Sequence, residues 1–153
     1  MIHWLNTILV IVIAGNQISN EEIVKVSVPT VTVRAGDHSV ITIAIEVTDG
    51  YHIQASNVGT ESIIPTTLEI ESDKEISLKS PNFPSTKKFI LKGTDQTLDV
   101  YDGRFDITIL FRTTKQIRKG LHRLDGKLNY QACDSVRCLF PRAAKFTAEV
   151  DVR

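Results

Sequence analysis

Apolar residues recur at every second position along most of this chain, and that period commits it to half-buried β-strands. Val24, Val26 and Val28 alternate with polar neighbours, and Val31 and Val33 resume after Pro29. Proline cannot donate a ladder hydrogen bond, so Pro29 is expected at a bulge or a sheet edge. Ile41, Ile43, Ile45 and Val47 make the clearest strand, which Asp49-Gly50 ends with a turn dipeptide. Ile107, Ile109 and Phe111 alternate next; Leu128, Tyr130 and Ala132 run into Cys133; Phe146, Ala148, Val150 and Val152 form a last strand. No window carries a helical stripe, and β-branched residues crowd the apolar positions. The fold class this predicts is all-β, an immunoglobulin-like β-sandwich of seven or more short strands. From Ser80 to Asp99 the alternation fails, and the two prolines and one glycine there read as an ordered surface loop.

The first residues follow another rule. Ile8 to Ala14 is an unbroken apolar run, too short for the roughly 20 residues that cross a bilayer as a helix. Small Ala14 ends it and Gly15 follows, and Asn16, Gln17, Ser19, Asn20, Glu21 and Glu22 come next, so residues 1–15 are read as a signal peptide and 16–22 as a polar lead-in. Residues 23–153 then form one domain, a length that supports a single core. The expected location is the periplasm or the cell exterior. Eighteen basic and eighteen acidic side chains cancel, so no overall field draws the chain to nucleic acid or anionic lipid.

Two cysteines, Cys133 and Cys138, lie four intervening residues apart in YQACDSVRCLFP. Across a tight hairpin their Cα atoms come within the roughly 4.4 to 6.8 Å of ordinary disulfides. Closing so short a loop removes little chain entropy, and an exposed bond of low structural value is suited to exchange. Arg137 beside Cys138 favours a thiolate there, and Asp134 beside Cys133 opposes one, which makes Cys138 the sulfur expected to meet a partner. The bland reading is a structural disulfide in an exported, non-catalytic immunoglobulin-like binding module.

The YQACDSVRC segment and the LFP after it resemble the cysteine hairpin of the N-terminal domain of the thiol:disulfide interchange protein DsbD, the disulfide bond corrector family. Asp49-Gly50-Tyr51-His52, Ile64-Pro65-Thr66, Phe83-Pro84 and Val100-Tyr101-Asp102-Gly103 are similar to further landmarks of that family, in order, over about Ile23 to Val152. The resemblance implies a periplasmic domain that passes electrons from a thioredoxin-like donor to other thiol proteins. It implies that Cys138 forms the mixed disulfide and Cys133 resolves it. A cap loop is implied within Phe89 to Thr97, with Phe89 as the shielding ring, and Tyr51 and Tyr101 are placed near the hairpin in supporting roles. Phe140 stands where the family usually has proline. Donor and acceptor are expected to be thioredoxin-fold proteins, and a membrane electron carrier is expected on a separate chain.

No cofactor-binding motif, nucleophile elbow or phosphate loop occurs. His3, His38, His52 and His122 are scattered singly, which predicts surface histidines and no metal site. The basic stretch Lys115 to Arg123 lacks interleaved aromatics and reads as a solvated turn, not a nucleic-acid site.

Overall fold

The computed structural model describes residues 22–57, 63–71, 74–93 and 95–153. The signal-peptide reading of 1–15 and all but Glu22 of the polar lead-in lie outside these residues. Twelve strands occur among the described residues: β1 (Val24–Ser27), β2 (Val31–Val33), β3 (His38–Val47), β4 (His52–Gln54), β5 (Thr67–Ile70), β6 (Ile76–Leu78), β7 (Lys87–Ile90), β8 (Thr97–Tyr101), β9 (Arg104–Thr113), β10 (Gly120–Tyr130), β11 (Ala132–Cys133) and β12 (Arg142–Val152). They form three four-stranded sheets with the orders β1-β3-β9-β6, β2-β12-β10-β5 and β11-β4-β8-β7.

The first two sheets make the sandwich. In β3 and β9, paired antiparallel from His38↔Arg112 to Glu46↔Arg104, the inward positions Ile41, Ile43, Ile45, Ile107, Ile109 and Phe111 are at most 1% exposed. Leu124, Leu128, Ala148 and Val150 answer them from β10 and β12, whose register runs unbroken from Gly120↔Val152 to Tyr130↔Arg142. The two inner faces join one continuous hydrophobic cluster. Each large apolar side chain removed from water there contributes about 1.5 to 3 kcal/mol, which is why the period-two pattern decides the architecture. Pro29 sits where the chain leaves β1 in one sheet for β2 in the other, and β2 is an edge strand, parallel to β12.

The third sheet corrects the reading of Ser80–Asp99 as a loop. Asn82 bridges to Thr108, and Lys87–Ile90 pairs antiparallel with Thr97–Val100 as a hairpin closed by Leu91 N–H donating to the Gln96 carbonyl (3.1 Å). β7 is an edge strand with solvent around most of it, so its sequence has no buried face to alternate. In β4, by contrast, all three residues are buried: Ile53 joins the core, while His52 and Gln54 alternate with it and occupy the other face of the sheet. The turn that delivers the chain to β4 needs Gly50, at φ 83°, where a Cβ is disfavoured.

Candidate functional site

The disulfide Cys133–Cys138 closes a turn at the end of β11. The Asp134 amide donates to the Arg137 carbonyl (2.9 Å), and the Leu139 amide donates to the Ala132 carbonyl (2.8 Å), so the two cysteines face each other in an antiparallel bridge. Their Cα atoms are 3.9 Å apart, closer than the separation expected from the sequence, because the bridge draws the two backbones together. Gln131 holds the base of the turn: its amide Nε2 donates to the Leu139 carbonyl (3.2 Å) and its Oε1 accepts from the Ile64 amide (3.3 Å).

The two sulfurs live in different surroundings. Cys133 is fully buried, and Cys138 is exposed. Around Cys138 stand apolar side chains that the fold leaves in water, Val136 at 75% and Phe140 at 90% exposure. Cys133 lies beside β4, directly opposite His52, and accepts a hydrogen bond at Sγ from Gln54 Nε2 (3.1 Å).

Asp134 and Arg137 both flank the bond, but they are engaged with the turn itself. Asp134 Oδ1 accepts from the backbone N–H of Val136 (2.7 Å) and of Arg137 (2.8 Å), the geometry of an Asx turn. The Arg137 amide, then that of Val136, holds the carboxyl below its ordinary range. Arg137 Nε lies 3.8 Å from Asp134 Oδ2, and its side chain is largely in solvent. The charges assigned to the separate sulfurs therefore offset each other in part.

Of the aromatic candidates, Phe89 lies nearest the chemistry. Its ring packs on the imidazole of His52 with centroids 4.0 Å apart, so what it covers is the residue paired with Cys133. Tyr101 is buried on the core side of the small sheet. Its ring stands between Phe83 (6.1 Å) and Phe105 (5.0 Å), and its hydroxyl meets Ser56 Oγ (3.0 Å). Tyr51 is half-buried against the core, and its amide donates to the Thr48 carbonyl to close the turn before β4.

Two site residues were missed in the sequence. His52, expected at the surface with the other histidines, is 5% exposed, and Gln54 is wholly buried. The available signal was the spacing: residues 52 and 54 share one face of a strand. His52 Nε2 and Gln54 Oε1 are the two buried side-chain polar atoms without a hydrogen-bond partner among the described residues, and they belong to the residue paired with Cys133 and to the one hydrogen-bonded to its sulfur. Burial is the main influence on the imidazole and lowers its pKa, with Asp102 and then Asp134 pulling the other way.

The site is thus a disulfide on the small side sheet of an immunoglobulin-like sandwich, with one sulfur buried and one exposed. The comparisons give the family. The chain belongs to the N-terminal domains of thiol:disulfide interchange protein DsbD, whose family model matches residues 18–149. The Neisseria meningitidis DsbD N-terminal domain in its reduced form is similar in structure at TM-score 0.51, with 14% identity over 90% of this chain and 94% of that one. The N-terminal periplasmic domain of ScsB from Proteus mirabilis is similar at TM-score 0.51, with 16% identity over 84% of this chain and 45% of that one, so this chain spans under half of that structure. A type I cohesin from Pseudobacteroides cellulosolvens reaches TM-score 0.51 at 9% identity, over 85% of this chain and 92% of that one. At such identities the likeness speaks for the fold alone. No curated protein matches the sequence.

Proposed function

We propose that this domain relays electrons in the periplasm between a thioredoxin-like donor and other thiol proteins, through Cys133 and Cys138. The observation that carries the reading is the unequal burial of the two sulfurs. A partner's thiolate can reach Cys138 without unfolding anything, whereas Cys133 is inside the sheet. In the reducing half-cycle a donor thiolate attacks Cys138 Sγ, the Cys133–Cys138 bond breaks, and Cys133 leaves with the electron pair and takes up a proton. The donor's second thiol then releases Cys138, and the domain holds two electrons as a dithiol. In the other half-cycle Cys138 thiolate attacks an acceptor disulfide, and Cys133 resolves the mixed disulfide from within bonding distance.

Exposed Val136 and Phe140 beside Cys138 supply an apolar rim for a docking thioredoxin-fold protein, and Phe89 acts as the cap through its cover on His52. Tyr51 and Tyr101 support the sheet from the core side, and Asp134 with Arg137 shapes the turn. Residues 1–15 would serve as the export signal, with a membrane electron carrier as the upstream source.

Trapping tests the assignment. Cys133→Ser, mixed with a thioredoxin-fold protein whose active-site cysteine is activated as an aromatic mixed disulfide, should accumulate a covalent complex on a non-reducing gel. Cys138→Ser should accumulate little. Equal trapping by both variants would reject the roles, and no complex from either would return the bond to a structural part in a binding module.

A further inference from the structure

His52 and Gln54 sit on either side of the cross-strand position occupied by Ile53, on the face of β4 that meets Cys133. Directly opposed residues of an antiparallel pair hold their Cβ atoms about 4.5 to 5.5 Å apart, so the imidazole and the buried sulfur are neighbours. Gln54 Nε2 is already hydrogen-bonded to Cys133 Sγ at 3.1 Å. A buried polar atom without a partner is costly, and two of them on side chains that face one sulfur, His52 by register and Gln54 by its hydrogen bond, are unusual in an interior that otherwise satisfies its polar groups. Structure alone would be served better by apolar side chains at both positions.

The exchange chemistry gives them a use. When Cys138 carries a partner in mixed disulfide, Cys133 must lose its thiol proton before it can attack, and no bulk water reaches it. We propose that His52 accepts that proton and that Gln54 donates its amide N–H to the Cys133 sulfur while the sulfur carries the negative charge. In balanced form, Cys133–SH and neutral His52 become thiolate and imidazolium. The thiolate attacks Cys138 Sγ, the Cys133–Cys138 bond forms, and the Cys138–partner bond breaks. The partner leaves with the electron pair, its thiolate protonated from the imidazolium or from solvent, so the domain's dithiol is oxidised and the partner's disulfide reduced.

The groups around the imidazole fit this task. Phe89 of β7 packs against the ring, with centroids 4.0 Å apart. Asp102, just beyond β8 and ion-paired with Lys87 of β7, and Asp134 of the cysteine turn, ion-paired with Arg137, both stabilise the imidazolium once it forms. The ring is thus neutral at rest and has two carboxylates to support the transient charge.

The inference rests on the exchange reading, and one experiment separates the two. Reduced protein treated with an aromatic disulfide reagent releases coloured thiolate in two phases: attack by Cys138, which depends on reagent concentration, and resolution by Cys133, which does not. In the unaltered protein the second phase should rise with pH through a histidine-like inflection at or below about 6.5 and then level, well before the ordinary thiol range near 8.5. His52→Phe should slow that phase roughly a hundredfold at neutral pH, the low end for a positioned proton-transfer group, and leave it climbing into the thiol range. Gln54→Leu should slow it without moving the inflection. A second phase of the unaltered protein whose inflection lies in the thiol range would overturn the proposal without any variant, as would a His52→Phe profile identical to it. A missing first phase would instead overturn the exchange reading.

Discussion

A buried imidazole nitrogen with nothing to bond to works against the fold, and it does so most in acid. The pKa of His52 in the folded protein lies below its unfolded value near 6.5, so below that value the unfolded chain takes up a proton that the fold resists. Stability should therefore rise with pH through this window and fall as the medium is acidified. His52→Phe keeps an aromatic ring against Phe89 and removes the orphaned nitrogen; urea titration should show it about 1 kcal/mol more stable at neutral pH, with less loss in acid. Asp134 has the same sign from another cause. Its carboxyl is held low by the turn amides, so protection of the Val136 and Arg137 N–H groups is full above the usual carboxylate range near 4 and is lost as pH falls through the lowered value. Asp134→Ala should make both amides exchange quickly at every pH, read by NMR. The cysteines and their two charged neighbours were legible because they are contiguous in sequence. His52 was not, since its burial depends on Phe89, a residue 37 positions further along, and a lone histidine after a turn gives no hint of that cover.

Strands differ in how much of themselves they write into the sequence. β3, β9, β10 and β12 have one face on the core and one towards water, so alternation marked them. β4 is buried throughout and only three residues long, and β7 is an edge whose lysines face solvent, so neither shows contrast between faces. Yet these two short strands bring Phe89 onto His52. Lys87 and Lys88 also guard the open edge, pairing with Asp102 and with Asp99 (2.9 Å), which discourages addition of a further strand. If the ring on β7 is what keeps the imidazole dry, Phe89→Ala should move the His52 titration upward, towards its ordinary value, in an NMR pH series on the oxidised protein. An unmoved titration would mean that the hairpin backbone, not the ring, provides the cover.

For the molecule as a whole, the core of the two large sheets and the disulfide of the small one are separate concerns. The bridge spans a sequence separation of only five, and a loop of that size is worth about 2 kcal/mol by chain entropy, against nearly 5 for one of a hundred residues. Reduction, or replacement of both cysteines by alanine, should leave the circular dichroism spectrum of a folded β-protein and lower the melting temperature by no more than about 10 °C. Phe111→Ala in β9, which empties a fully buried site, should cost about 3 to 5 kcal/mol and leave a reduced fold whose sulfurs still react. Under the proposed relay, with Cys138 the one sulfur of the pair open to the outside, donor and acceptor would have the same landing place. They must visit in turn, never together, so steady-state rates with both present should follow ping-pong kinetics, and an excess of either partner should inhibit the other by occupancy alone.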